Sequence, residues 1–237
     1  MSGTLFLVAT PIGNLDDITL RAIDTLKSVD FIAAEDTRHT LKLLNHLNIS
    51  KPLISCYKEN ELIKVNDIIS KLENGNNIAL VSDAGTPVIS DPGEEIVHAA
   101  IENNIKIVPI PGPCALITAL ISSGISAKEF CFIGFLPVNK TEKINKLSSL
   151  YDLDKTLIFY EAPHKLINKL STIKEVLCNI KITLARELTK IHEDFIHGYI
   201  DEILEHITEP KGEFVIVVEG NYNNQDEIIT KLNLRNS

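Results

Sequence analysis

The stretch that most constrains the fold is Ile78 to Gly93, Ile-Ala-Leu-Val-Ser-Asp-Ala-Gly-Thr-Pro-Val-Ile-Ser-Asp-Pro-Gly. Ile78 to Val81 is an apolar run of the length expected for a strand covered on both faces. The polar elbow Ser82-Asp83-Ala84-Gly85-Thr86-Pro87 follows without a spacer, at that strand's carboxyl end. In an open α/β sheet ligands bind at that edge, because its loops present backbone amides and short polar side chains into a crevice between crossovers. Ordinary turn chemistry would supply the same residues in any strand-to-helix connection. Recurrence favours the ligand-binding reading: Leu5 to Thr10 runs into Pro11-Ile12-Gly13-Asn14, and Ile105 to Ile110 runs into Pro111-Gly112-Pro113-Cys114-Ala115.

Thr4 to Ala9 reads as the first strand, followed by a helix capped by Asp16 or Asp17 with Ile18, Ala22, Ile23 and Leu26 on one face. Phe31 to Ala34 is a second strand ending in Glu35-Asp36-Thr37-Arg38, after which Leu41, Leu44 and Leu47 resume helical spacing. Glu35, Asp36 and Arg38 have two readings: they cap and neutralise that helix, or they face the same crevice as the other loops. Leu53 to Ser55 is a weak strand, Glu59 to Leu72 a helix, and a helix from near Gly93 leads to the strand Ile105 to Ile110. This alternation is that of a parallel sheet with right-handed crossovers, and it assigns residues 1–112 to a first α/β domain.

Cys114 to Gly124 is small and apolar, expected as a buried helix near the domain junction. Strands then follow at Phe130 to Gly134, Thr156 to Tyr160, Lys181 to Ala185, around Phe195, and at Phe214 to Val218. The intervening helices are Lys140 to Leu150, His164 to Val176 and Ile200 to Ile207, which predicts a second α/β domain over 113–221 with a mixed sheet. Residues 222–237 form a polar tail with one short helical stretch at Glu227 to Leu232.

The chain has 237 residues, 44% hydrophobic and 23% charged, enough for two globular domains. No apolar run reaches bilayer length and no secretory pattern opens the chain, so a cytoplasmic protein without membrane contact is expected. The four cysteines, Cys56, Cys114, Cys131 and Cys178, are scattered, and neither a metal site nor a disulfide framework is expected. A formal charge of −9 argues against coating nucleic acid through the overall field, and leaves room for a local basic groove. Candidates for one are Lys140, Lys143, Lys146, His164, Lys165, Lys169, Arg186 and Lys190, most of which read as solvated helix faces.

Leu7 to Ile18, Ala-Glu-Asp-Thr-Arg (Ala34 to Arg38), Val81 to Gly93, Pro109 to Pro113, Gly-Phe-Leu-Pro (Gly134 to Pro137), Tyr-Glu-Ala-Pro-His (Tyr160 to His164) and Ala-Arg-Glu-Leu-Thr-Lys (Ala185 to Lys190) together resemble the small-subunit ribosomal RNA methyltransferase I family of the tetrapyrrole methylase superfamily. The resemblance implies two α/β domains with S-adenosyl-L-methionine in the cleft between them, a homodimer, and methyl transfer to the ribose 2′-hydroxyl of a decoding-region cytidine of 16S rRNA. Carried over by motif, it implies donor contacts at Pro11, Ser82, Asp83, Ala84, Gly85, Thr86, Asp91, Cys114 and Ala115 in the first half. In the second it implies Phe135, Leu136, Tyr160, Ala185, Gly212, Glu213 and Phe214. Lys165 stands where members of the family often have Arg, keeping the charge without the planar fork.

No Gly-x-Gly-x-x-Gly follows a strand and no Gly-Lys-Ser/Thr loop occurs, so neither a dinucleotide nor a nucleoside triphosphate is indicated. The donor carries its own activation, which leaves the protein to position the reactants and remove the hydroxyl proton. The candidates for catalysis are Glu35, Asp36, Arg38, Glu161, Arg186 and Glu187. One of Glu35, Glu161 and Glu187 is expected to take the proton, with Arg38, Arg186 and Lys165 on phosphates. The alternatives are methylation of a corrin or porphyrin precursor, and a non-catalytic sensor of S-adenosylmethionine or a nucleotide. Against the first, the tetrapyrrole enzymes more typically carry Gly-Asp-Pro where this chain has Ser-Asp-Ala-Gly-Thr-Pro.

Overall fold

The computed structural model describes residues 2–57 and 61–220. The tail over 222–237, its helical stretch at Glu227 to Leu232, and the start of the helix expected from Glu59 lie outside the described residues. The chain divides into two compact units between Ala115 and Leu116.

In the first unit β1 (Thr4–Val8), β2 (Phe31–Ala34), β3 (Leu53–Ser55), β4 (Ile78–Val81) and β5 (Lys106–Ile110) form a sheet in the order β3-β2-β4-β1-β5. Every pairing is parallel, so each connection must cross over, through α1 (Leu20–Ser28), α2 (Thr37–His46), α3 (Glu61–Glu73) and α4 (Glu94–Glu102). Alternate strand residues point to opposite faces, and each face has its own core. Leu5, Ala33, Ile78 and Leu80 pack with Ile68, Leu72, Ile96 and Ala100 of α3 and α4. Val8, Ile32, Ala34, Ala79 and Val81 pack with Ala22, Leu26 and Leu44 of α1 and α2. All four residues of β4 are buried, which is why its sequence is apolar without alternation. Neighbouring β1 and β4 send their connections in opposite directions along the sheet, creating a topological switch point at their carboxyl ends.

The first helix begins later than Asp16 or Asp17 would set it. Asn14 caps a 3-10 turn, Leu15–Asp17, that contains both acids, and the Thr19 hydroxyl oxygen accepts from the Ala22 N–H to cap α1. The two acids complement the amino end of the short turn instead.

From Leu116 the second unit takes up all but the first residue of α5 (Ala115–Ser122) and continues through β6 (Phe130–Gly134), α6 (Lys140–Ser148), β7 (Thr156–Glu161), α7 (Pro163–Leu177), β8 (Lys181–Arg186), β9 (Asp194–Tyr199), α8 (Ile200–His206) and β10 (Phe214–Val218). Its sheet runs β6-β7-β10-β8-β9, parallel at β6–β7 and antiparallel elsewhere. Ile182, Leu184, Phe159 and Ile216 pack on one face against Leu147 of α6, Leu166, Leu170 and Ile173 of α7, and Ile200 and Ile203 of α8. The apolar α5 is buried on one side only: Leu116, Ala119 and Leu120 are covered, whereas Ile117 and Ile121, one turn apart, are 43% and 73% exposed.

Candidate functional site

The site in the first unit is built where β1 and β4 end. The Thr10 N–H donates to the Gly85 carbonyl at 2.9 Å and the Gly85 N–H returns a bond to the Thr10 carbonyl at 3.1 Å, joining the two loops. Gly85 has φ 85° and a Cβ there would lie 3.1 Å from Ile12 Cγ2, so the bridge requires glycine. The Thr86 hydroxyl donates to the Pro113 carbonyl at 3.1 Å, tying in the loop after β5. Past Thr86 the backbone takes positive φ at Val88 (75°) and Ser90 (68°). Strain of about 1–3 kcal/mol per such residue is a common property of loops that hold ligands. Pro11 and Ser82 are buried, Ala84 is exposed, and Asp83, Thr86 and Asp91 are half-buried.

Glu35 follows β2, whose end is beside that of β4. The Asp36 N–H donates to Asp83 Oδ1 at 2.9 Å, and the Asp83 backbone N–H bonds the Glu35 carboxyl. The Ser82 hydroxyl bonds the Asp91 carboxyl. Burial, and then the charges of Asp91 and Asp83, push the Glu35 carboxyl up to about 7 against the opposing pull of the Asp83 N–H. Burial likewise raises Asp91 to about 6, with Ser82 opposing and Asp83 contributing. Among the described residues no group of His, Cys, Asp and Glu is arranged to hold a metal ion. Asp36 and Arg38 pair with each other: Asp36 Oδ1 caps α2 by accepting from the Arg38 N–H at 2.8 Å, and the Arg38 guanidinium, otherwise exposed, grips the same carboxylate at 2.7 and 3.1 Å.

In the second unit the Tyr160 hydroxyl accepts from the Leu116 N–H at 3.2 Å, at the start of α5. Its ring meets Phe132 and Phe135 edge-on, with centroids 4.9 and 5.8 Å away. Cys114, before α5, and Ala115, its first residue, are half-buried, and Phe135 is exposed beside buried Leu136, packed on Tyr160. The next residue, Glu161, pairs with Lys169 at 2.8 Å and accepts from the Ala162 N–H at 2.9 Å. The Lys169 ammonium also donates to the Tyr160 carbonyl at 2.9 Å, and burial lowers its pKa despite the adjacent carboxylate. Lys143 is buried as well, donating to Asn168 Oδ1 at 2.7 Å. Neither Lys143 nor Lys169 belongs to a solvated helix face, because each ammonium has a fixed acceptor inside the unit.

At the end of β8, Ala185 is buried and Arg186 Nε donates to the Lys211 carbonyl at 2.7 Å. Glu187 Oε1 accepts from the Lys190 ammonium and from the Glu213 N–H, both at 2.9 Å, while Lys190 also pairs with Glu213 at 2.9 Å. The bond from Lys190, then that from the Glu213 N–H, hold Glu187 below the usual carboxylate range. Gly212, Glu213 and Phe214 are thereby latched to the residues after β8. A Cβ at Gly212, where φ is 90°, would sit 2.4 Å from Glu187 Cγ.

The sequence-derived acids therefore separate by environment. Glu161 and Glu187 are each committed to a lysine, whereas Glu35 sits among acids with a carboxyl poised near neutrality, suited to accepting a proton. Thr10 was not among the expected site residues. Its one sequence signal is its place before Pro11, which favours the extended backbone that the bridge uses.

Over residues 4–204 the chain matches the family described as Tetrapyrrole (Corrin/Porphyrin) Methylases. It is 51% identical over 221 residues to the ribosomal RNA small subunit methyltransferase I of Synechocystis sp., covering 92% of this chain and 79% of that protein. It is also 51% identical over 225 residues to the protein of the same name from Bacillus subtilis, covering 94% and 77%. Among solved structures, uroporphyrin III C-methyl transferase from Thermus thermophilus superposes with a TM-score of 0.65 at 15% identity, covering 92% of this chain and 97% of that one. A parallel sheet with a switch-point site, a mixed second sheet and these matches lead to one assignment: the chain belongs to the ribosomal RNA small subunit methyltransferase I family, within the tetrapyrrole methylases.

Proposed function

We propose that this protein transfers a methyl group from S-adenosyl-L-methionine to the ribose 2′-hydroxyl of a decoding-region cytidine in 16S rRNA, acting on the small ribosomal subunit as a cytoplasmic homodimer. The observation that carries this reading is the 51% identity, over most of the chain, to relatives bearing the name ribosomal RNA small subunit methyltransferase I. The corrin and porphyrin alternative has the broad family description and a fold likeness at 15% identity behind it, against 51% identity for the ribosomal RNA reading.

The donor chemistry suits the residues present. S-adenosylmethionine brings a zwitterionic amino acid moiety, hydroxyls and an adenine, and supplies a methyl group already activated on a cationic sulfonium. Asp83 and Asp91 offer acceptors to its polar groups, and Pro11, Gly85, Thr86 and Ala84 offer backbone and short side chains. The resemblance further assigns donor contacts to Cys114 and Ala115 at the end of the first unit, and to Phe135, Leu136, Tyr160, Ala185 and the Gly212 to Phe214 turn in the second, of which Phe135, Leu136 and Tyr160 would supply apolar wall. Glu35 acts as the proton acceptor for the 2′-hydroxyl, since among the described residues it is the one acid of the three candidates not held by a lysine. Arg38, Lys165 and Arg186 contact phosphates. Recognition of a folded particle allows this local basic set to act despite the net charge of −9.

The test is transfer of labelled methyl from S-adenosylmethionine to purified small subunits lacking the modification, with the product mapped by nuclease digestion and mass spectrometry. Label in a 2′-O-methylcytidine is the expected result. Donor binding without label in RNA would return the choice to the tetrapyrrole and sensor alternatives.

A further inference from the structure

Glu61 opens α3, is only 7% exposed, and belongs to no motif in the sequence. Its Oε1 accepts from the Gly93 N–H at 2.9 Å and from the Glu95 N–H at 3.0 Å. Those donors belong to the first turn of α4, whose N-cap is Gly93 and has no side chain to offer. Another residue could not readily take over, because φ at Gly93 is 128° and a Cβ would lie 2.7 Å from Leu80 Cδ2. Helix α4 is therefore capped by a carboxylate from a different helix, 32 residues upstream. Burying a carboxylate is unfavourable, and two charge-assisted bonds at the positive end of a helix offset it.

The segment so held is the loop from Ser82 to Gly93. It is fixed at one end by the Thr10–Gly85 bridge, passes through positive φ at Val88 and Ser90, and carries Asp91 two residues before Gly93. Strained backbone persists only where its surroundings over-determine it, and Glu61 supplies the restraint at the far end. We propose that Glu61 is a positioning residue for the methyl donor, holding Asp91 against Ser82 and Glu35 by anchoring the end of the loop. The proposal rests on the reading that residues 82–91 hold S-adenosylmethionine.

Its test is calorimetric titration of S-adenosylmethionine into the full-length wild type, E61A, E61Q and a stability control, L26A, which opens the core on the other face of the sheet, where no residue of the 82–96 segment packs. Amide hydrogen exchange of the 88–96 region is followed in parallel. E61A should weaken donor binding on the order of tenfold, the loss of two charge-assisted bonds being shared between loop order and affinity. E61Q keeps an acceptor oxygen and should recover most of that affinity, and L26A should bind as wild type while melting lower. Exchange should rise over 88–96 in E61A and not in L26A. Equal affinity for E61A and L26A, or unchanged exchange in the loop, would overturn the proposal. If E61A does not fold, E61D takes its place in the same comparison, since its carboxylate is one methylene short of the Gly93 and Glu95 N–H groups. Absence of donor binding by the wild type would instead identify the parent reading as the failure.

Discussion

Replacing Lys169 by Met removes the ammonium from a nearly water-free ion pair while keeping a side chain of similar length. In the native protein Lys169 is 1% exposed and its ammonium bonds Glu161 at 2.8 Å and the Tyr160 carbonyl at 2.9 Å. The variant leaves the Glu161 carboxylate buried and bonded to the Ala162 N–H without its cation, and deprives the Tyr160 carbonyl of a donor. Stranding one member of a buried pair costs about 3–5 kcal/mol. For a unit of this size that corresponds to a melting point lower by roughly 10–20 °C. Differential scanning calorimetry of the wild type, K169M, E161Q and the double variant measures it. The double variant should recover at least about 1 kcal/mol of the K169M loss, because no charge is left stranded. Raising salt should change the K169M deficit little, since the pair is shielded from solvent ions. A melting point within about 3 °C of wild type for K169M, or a double variant no better than the single one, would refute the account of the pair.

Three further outcomes follow from the site. Methyl transfer should rise with pH through about 7 as Glu35 loses its proton, and E35Q should lower turnover on the order of 100-fold and flatten that profile with donor affinity little changed, which pre-steady-state assays would measure. Asp91 has its folded pKa raised to about 6 from an ordinary value near 4, so its ionisation lowers stability as pH rises across that window; D91N should melt higher than wild type at pH 8, lose that advantage at pH 4, and bind the donor more weakly. Gly212→Ala should destabilise the second unit by about 2 kcal/mol in thermal melts, because the new Cβ meets Glu187 at 2.4 Å on a backbone with φ 90°.

The strands and the carboxyl-edge loops were legible because their signals are local. β2, β6 and β10 have the expected bounds, and Ile78 to Gly93 announced both a covered strand and its turn. What was not legible depends on residues that meet only after folding. The acid that caps α1 by composition, Asp16 or Asp17, loses to Thr19 because Asn14 starts a separate turn first. Lys169 looks like any polar residue on a helix, and its burial follows from α7 folding back over the end of β7, where Glu161 waits. The three acids proposed for proton transfer are indistinguishable as letters, and differ once lysines claim Glu161 and Glu187 and carboxylates surround Glu35. Thr10 and Gly85 are far apart along the chain, and only the adjacency of β1 and β4 brings them together.

The strand order also governs how the protein is made. β1 is translated first, yet its partners in the sheet are β4 and β5. At about 5–20 residues per second, Thr4–Val8 waits roughly 4–15 s before Ile78–Val81 has even been synthesised, and longer before β5 follows. During that interval β2 and β3 can pair with each other but the middle of the sheet is missing, leaving Leu5, Leu7 and Val8 without their final neighbours. The first unit thus has an amino-terminal strand that must be kept from other chains during translation, and its folding closes from the inside late, when β4 inserts between β2 and β1.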